Sequence, residues 1–228
     1  MRITRLVAGL VTAGLVGLVP LAATAPANAA GTQASTTTLT LSPSFDGGPF
    51  EIGDTLNFTG TVTGADGTST PNSTNGGTAT LLVSSPSNPT FTPIATDTGG
   101  SLYFSVQAST NATYKVSYSG GISGFGTSAT TLTGSESAPI GVAVARTLKI
   151  KTNNLTINGK VLPSFGKEKI KILKKAGKKY KKYTSVKTNK KGKFTFRAPR
   201  KNKFRFAVVV PGNALYSAAV EYYIVRIF

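Results

Sequence analysis

Apolar and polar residues alternate along most of this chain with a period of two, and Gly, Pro, Asn and Ser interrupt the alternation every ten residues or so. Successive side chains of an extended strand point to opposite faces, so such a run buries one face and wets the other. An amphipathic helix would need a beat of about 3.6 residues, and no segment beyond the N-terminal apolar stretch keeps it. Short strands at this spacing define an antiparallel β-sandwich. The alternation predicts strands near 35–41, 55–63, 78–84, 91–96, 101–107, 113–119 and 129–135. A second set falls near 146–151, 155–161, 168–174, 180–187, 193–198, 203–210 and 218–227. Residues 64–77, rich in Gly, Ser, Thr and Asn, read as a mobile surface loop. The chain has no Cys, so sheet hydrogen bonding and burial alone must hold these strands.

The two sets repeat one pattern. Leu56-Asn57-Phe58-Thr59-Gly60-Thr61-Val62 aligns with Leu155-Thr156-Ile157-Asn158-Gly159-Lys160-Val161, glycine against glycine. Gly100-Ser101-Leu102-Tyr103-Phe104 then matches Gly192-Lys193-Phe194-Thr195-Phe196, and Tyr114-Lys115-Val116 matches Phe206-Ala207-Val208 in the same order. Three blocks in one order indicate a tandem duplication. The predicted organisation is all-β: two tandem sandwiches over 30–145 and 146–228, following a leader over 1–29.

The leader reading rests on Arg2 and Arg5 before an apolar run from Leu6 to Val19, Pro20, and small residues at Ala27-Asn28-Ala29. Cleavage is expected after Ala29. No second apolar run approaches the ~20 residues of a membrane span, and no LPxTG-type sorting signal occurs. The expectation is an extracellular protein, released or held non-covalently at the cell wall.

Charge separates the two halves. Lys and Arg minus Asp and Glu give 1 − 6 = −5 over residues 30–145 and 23 − 2 = +21 over residues 146–228. A field of that size attracts polyanions. The absence of His, Cys and Trp removes the commonest acid–base group and the usual soft metal ligands. The expectation is a non-enzyme without cofactor or metal. A weak calcium site or a hydrolytic carboxylate pair drawn from Asp46, Glu51, Asp54, Asp66 and Asp97 is the minor alternative, since Asp beside Gly is ordinary turn chemistry.

Several segments of the second half resemble the bacterial Ig-like repeats common in exported actinobacterial proteins. They are Asn158-Gly159-Lys160-Val161, Ile170 to Lys175, Tyr180 to Tyr183, Thr188 to Phe196, and Val210-Pro211-Gly212-Asn213-Ala214-Leu215-Tyr216. The departures are Tyr180 where an aromatic such as Trp is usual, Asn213 where Asp is common, and the density of Lys. The resemblance implies a seven-stranded sandwich serving as spacer, adhesion or accessory module. It also implies a core position for Tyr180 and a packing role for Tyr216, its hydroxyl on a backbone partner. With Ig-like strand order, Lys149, Lys151, Lys160, Lys193 and Arg197 decorate one sheet, and Lys169, Lys171, Lys203, Arg205 and Arg226 the other.

The densest run, Lys174 to Tyr183, is predicted to form a hairpin turning at Gly177. The candidate polyanion-binding residues are Lys169, Lys171, Lys174, Lys175, Lys178, Lys179, Lys181, Lys182, Lys203 and Arg205. Lysine, a flexible point charge, outnumbers arginine 18 to 5 over residues 146–228. Salt-sensitive, weakly selective binding of anionic surface polymers is therefore expected, rather than base-edge reading of nucleic acid. A purely structural spacer whose lysines serve solubility is the competing expectation.

Overall fold

The computed structural model describes residues 2–6 (backbone only), 31–44, 47–126 and 129–226. Apart from Arg2–Leu6, the expected leader lies outside the described residues, as does Asp46. Strands dominate and no α-helix occurs among the described residues. They run β1 (Arg2–Leu6), β2 (Thr32–Gln33), β3 (Ser35–Thr37), β4 (Thr40–Leu41), β5 (Phe50–Glu51), β6 (Thr55–Gly64), β7 (Thr78–Ser85), β8 (Asn88–Thr98), β9 (Ser101–Gln107) and β10 (Ala112–Tyr118). There follow β11 (Gly121–Ser123), β12 (Thr130–Leu132), β13 (Ser135–Glu136), β14 (Ile140–Val142), β15 (Val144–Ala145), β16 (Thr147–Asn153) and β17 (Thr156–Leu162). The last are β18 (Lys169–Ala176), β19 (Lys179–Lys187), β20 (Lys193–Arg197), β21 (Phe204–Val210) and β22 (Ala219–Arg226).

Two hydrophobic clusters organise these strands. In the first, β6 pairs with β3 and β4 on one side and β9 on the other, and faces a sheet of β13 and β14, β10, β7 and β8. Leu56, Phe58, Val62, Leu102 and Phe104 meet Leu81, Tyr114, Val116 and Tyr118 between the sheets. In the second, β16-β17-β20 faces β22-β21-β18-β19, with Ile157, Val161, Phe194 and Phe196 packed on Ile170, Ile172, Phe206 and Val208. Edge-on Phe196 and Phe206, 5.4 Å between centroids, tie the two layers. The backbone of β1 runs antiparallel along the outer edge of β22.

The aligned blocks pair in one register. Gly60 lies opposite Leu102 and Phe58 opposite Phe104, while Gly159 lies opposite Phe194 and Ile157 opposite Phe196. Each aligned residue thus meets an aligned partner. The shared glycine has a different neighbour in each copy: a Cβ on Gly159 would fall 2.1 Å from the Phe194 ring, and one on Gly60 2.3 Å from the Thr38 carbonyl oxygen.

The first half departs from its expected seven strands. The run expected at 129–135 divides, β12 pairing with β11 and β2 while β13 pairs with β10. Two short parallel pairings, β2–β12 and β5–β15, join segments far apart in sequence. The 64–77 segment has internal ties: Asp66 accepts from the Thr68 and Ser69 amides and the Ser69 hydroxyl, Asn72 accepts from the Thr74 and Asn75 amides, and Pro71 bridges to Ser123.

Asn111 fastens the two halves. Its Oδ1 accepts from the Val144 amide at 2.9 Å and the Ser217 hydroxyl at 3.1 Å, and its Nδ2 donates to the Ala214 carbonyl at 3.1 Å. Beside it Arg146, only 6 % exposed, lies between the rings of Tyr216 (4.2 Å) and Phe165 (4.8 Å). Burial draws the Arg146 guanidinium below its usual pKa, yet an arginine stays charged throughout the physiological range.

Candidate functional site

β18 and β19 place the dense lysine run on the expected hairpin. Ala176 pairs with Lys179, leaving Gly177 and Lys178 as the turn, and Gly177 takes the positive φ of 62° that such a turn favours. The strand propensity of Ile170, Ile172 and Leu173 anchors one arm; Val186 and Thr184 anchor the other. All ten candidate cations are exposed.

Their faces differ. Lys169, Lys171 and Lys175 of β18 share the outer face with Lys182 of β19 and Arg205 of β21, since Ile170, Ile172, Phe206 and Val208 fill the core on the other side. Lys187 and Arg226 extend that face. Lys174, Lys179 and Lys181 point to the opposite side of the hairpin tip, where the Lys174 ammonium lies 5.9 Å from the Tyr183 ring centroid. Lys178 occupies the turn, and Lys203 the left-handed turn residue (φ 57°) before β21. The candidate set is thus one face of five, a hairpin tip of four (Lys174, Lys178, Lys179 and Lys181), and Lys203 in the turn before β21.

The placement of Tyr180 corrects the core position that the resemblance implies. A bulge between Ile172 and Leu173 inserts Tyr183 as an extra residue of β19, and this shifts the parity of everything nearer the turn. Tyr183 stays 39 % exposed at the rim of the hairpin and meets Phe204 edge-on at 5.6 Å. Tyr180 lies on the outer face, edge-on to Tyr222 at 5.0 Å, among Lys175, Lys182 and Arg205. Burial pushes the Tyr180 hydroxyl above its ordinary pKa, Tyr222 adds to this, and the nearby Arg205 opposes it. Tyr216 likewise serves through its ring, as a platform for Arg146.

The other sheet carries a row absent from the candidate list. Lys149 lies opposite Lys160, and Lys160 opposite Lys193, so three ammonium groups cross β16, β17 and β20 in line. Opposed Cα atoms in such ladders stand about 4.5–5.5 Å apart. Lys169 opposite Lys187 and Lys174 opposite Lys181 give two further like-charged pairs on the hairpin. The repeat alignment holds the signal for the row: once the first two blocks are laid as neighbouring strands, Lys160 faces Lys193.

Carboxylates are scarce here and locally engaged in the first half. Residues 146–228 contain only Glu168 and Glu221, and Glu221 accepts from the Tyr223 hydroxyl at 2.5 Å. In the first half Asp54 accepts from the Glu51 amide, and Asp97 from the Thr98 and Tyr103 amides. No group of three or more metal-ligating side chains occurs among the described residues. A cleft of about 540 Å³ opens beside the junction between Pro86, Asn111, Val142 and Ser217, and none of its lining side chains is titratable.

No family model matches this chain, and no curated protein matches it.

Proposed function

We propose that this is an exported, non-catalytic protein that engages anionic polymers of the cell surface through its basic half, residues 146–228. The observation carrying this reading is the set of four directly opposed lysine pairs: Lys149–Lys160, Lys160–Lys193, Lys169–Lys187 and Lys174–Lys181. Like charges opposite one another weaken a sheet, and two carboxylates stand against 23 cations in this half. A polyanion laid over either face relieves that repulsion and releases its own counterions. The ligands best matched are polymers with repeated phosphate or carboxylate groups, such as wall teichoic acid or acidic glycan, held without fixed geometry because lysine is a point charge.

The test is retention of the chain on a polyphosphate resin and on purified cell wall across a salt gradient. Retention in dilute buffer that is lost by about 0.5 M NaCl supports the reading. Passage through both columns in dilute buffer leaves the spacer reading standing instead.

A further inference from the structure

The sheet face that became cationic in the second half has an uncharged counterpart in the first, built around an exposed aromatic ring. The shared register makes the two faces equivalent position by position: Thr61 and Ser101 occupy the places of Lys160 and Lys193, and Thr59 and Tyr103 those of Asn158 and Thr195. Every outward position of β6 and β9 is Thr, Asn, Ser, Gln or Tyr. Tyr103 is 58 % exposed in the middle of that face. Its hydroxyl donates to Asn57 Oδ1 at 3.0 Å on the neighbouring strand, and its amide donates to Asp97 Oδ2 at 2.7 Å. Both ends of the residue are thereby tied. The ring is drawn across the sheet toward Asn57 instead of rotating freely, with Thr59 directly opposite.

We propose that this face binds neutral polysaccharide, with Tyr103 as the stacking platform. An aromatic face is electron-rich and attracts the weakly positive C–H groups on the flat side of a pyranose ring. Threonine, serine and asparagine around it offer both donors and acceptors to sugar hydroxyls. An uncharged ligand costs less to desolvate than a charged one once its hydroxyls find partners on this face, whereas a polyanion finds no opposite charge there. The Asn57 bond sets the orientation of the ring before binding, so little side-chain freedom remains to be lost. The two halves would then grip a wall or matrix by different chemistries.

The test is co-sedimentation of the full chain with cellulose, chitin and xylan in dilute buffer and in about 1 M NaCl, where screening reduces exposed charge contacts to a few ångströms' reach. The expected result is retention by at least one polymer at both salt concentrations. Tyr103→Ala should lower affinity about tenfold, the scale of one lost stacking contact, without shifting the thermal midpoint. Asn57→Ala, which keeps the ring but frees it, should lower affinity by less. Four results overturn the proposal: no retention on any of the three polymers, binding that vanishes in high salt, retention unchanged by Tyr103→Ala, or a dimer by light scattering that Tyr103→Ala dissociates. Binding that vanishes in high salt assigns the interaction to the lysines instead, so each reading can fail without the other.

Discussion

At the scale of single residues, Lys160 is the point where opposing demands meet. It sits between two other lysines in a cross-strand row, so Lys160→Thr removes two repulsive contacts and adds a residue of higher strand propensity. The expected outcome is stabilisation by about 1 kcal/mol in dilute buffer, shrinking as salt rises, together with weaker retention on polyphosphate. Denaturant melts at two salt concentrations check the first part, and column elution the second. Asn111 is the opposite case: Asn111→Ala leaves the Val144 amide and the Ala214 carbonyl without their partner, at an expected cost of about 1–3 kcal/mol by urea denaturation. Asp66 supplies a pH signature. The Ser69 hydroxyl and then the Ser69 and Thr68 amides hold its carboxyl well below the ordinary value of 3.8. Its contribution is therefore complete above that value and drains away as pH falls toward the folded pKa. The thermal midpoint of the wild type should exceed that of Asp66→Asn at about pH 6, by a margin that narrows toward about pH 2.

At the scale of elements, strands with strict alternation were readable and those without it were not. Ile170, Ile172, Phe194, Phe196, Phe204 and Phe206 lie inward as their parity requires, with Lys169, Lys171, Lys193 and Arg205 outward. Alternation is a local property, and here nothing non-local overrides it. The division of the second half's cations between the sheets was equally legible from strand order. The bulge at Tyr183 was not, because an inserted residue leaves composition unchanged while reversing every position beyond it. That reversal is why Tyr180 leaves the core and joins Tyr222 outside. The hairpin it shapes gives an element-scale prediction. Deleting Tyr183 should close the bulge with Lys182 still outward opposite Leu173 and lower the thermal midpoint of this half through loss of the ring packed on Phe204, whereas Tyr183→Phe, which keeps the 5.6 Å edge contact, should be near neutral by calorimetry.

At the scale of the whole molecule, the three aligned blocks were visible in the sequence, but the junction was not. Asn111 and Arg146 carry no periodic signal, and the short parallel pairings of β5 with β15 and β2 with β12 bring together segments about a hundred residues apart. Contacts of that range leave no trace in local pattern. Charge asymmetry, by contrast, is a property of composition and passes directly from sequence to surface. Its molecular consequence is that the thermal midpoint of the basic half should rise on adding salt, and more steeply on adding polyphosphate at equal ionic strength, because a ligand favouring the native state stabilises it by mass action. Scanning calorimetry in chloride and in polyphosphate separates simple screening from engagement.

The row of opposed lysines should also make rigidity depend on location. Under the proposed reading, cationic sheets adrift in fresh water push against themselves and breathe, and on a lattice of fixed negative groups the same strands tighten. A protease should then cut the drifting form faster than the lodged one, so that molecules failing to lodge are the first to be cleared.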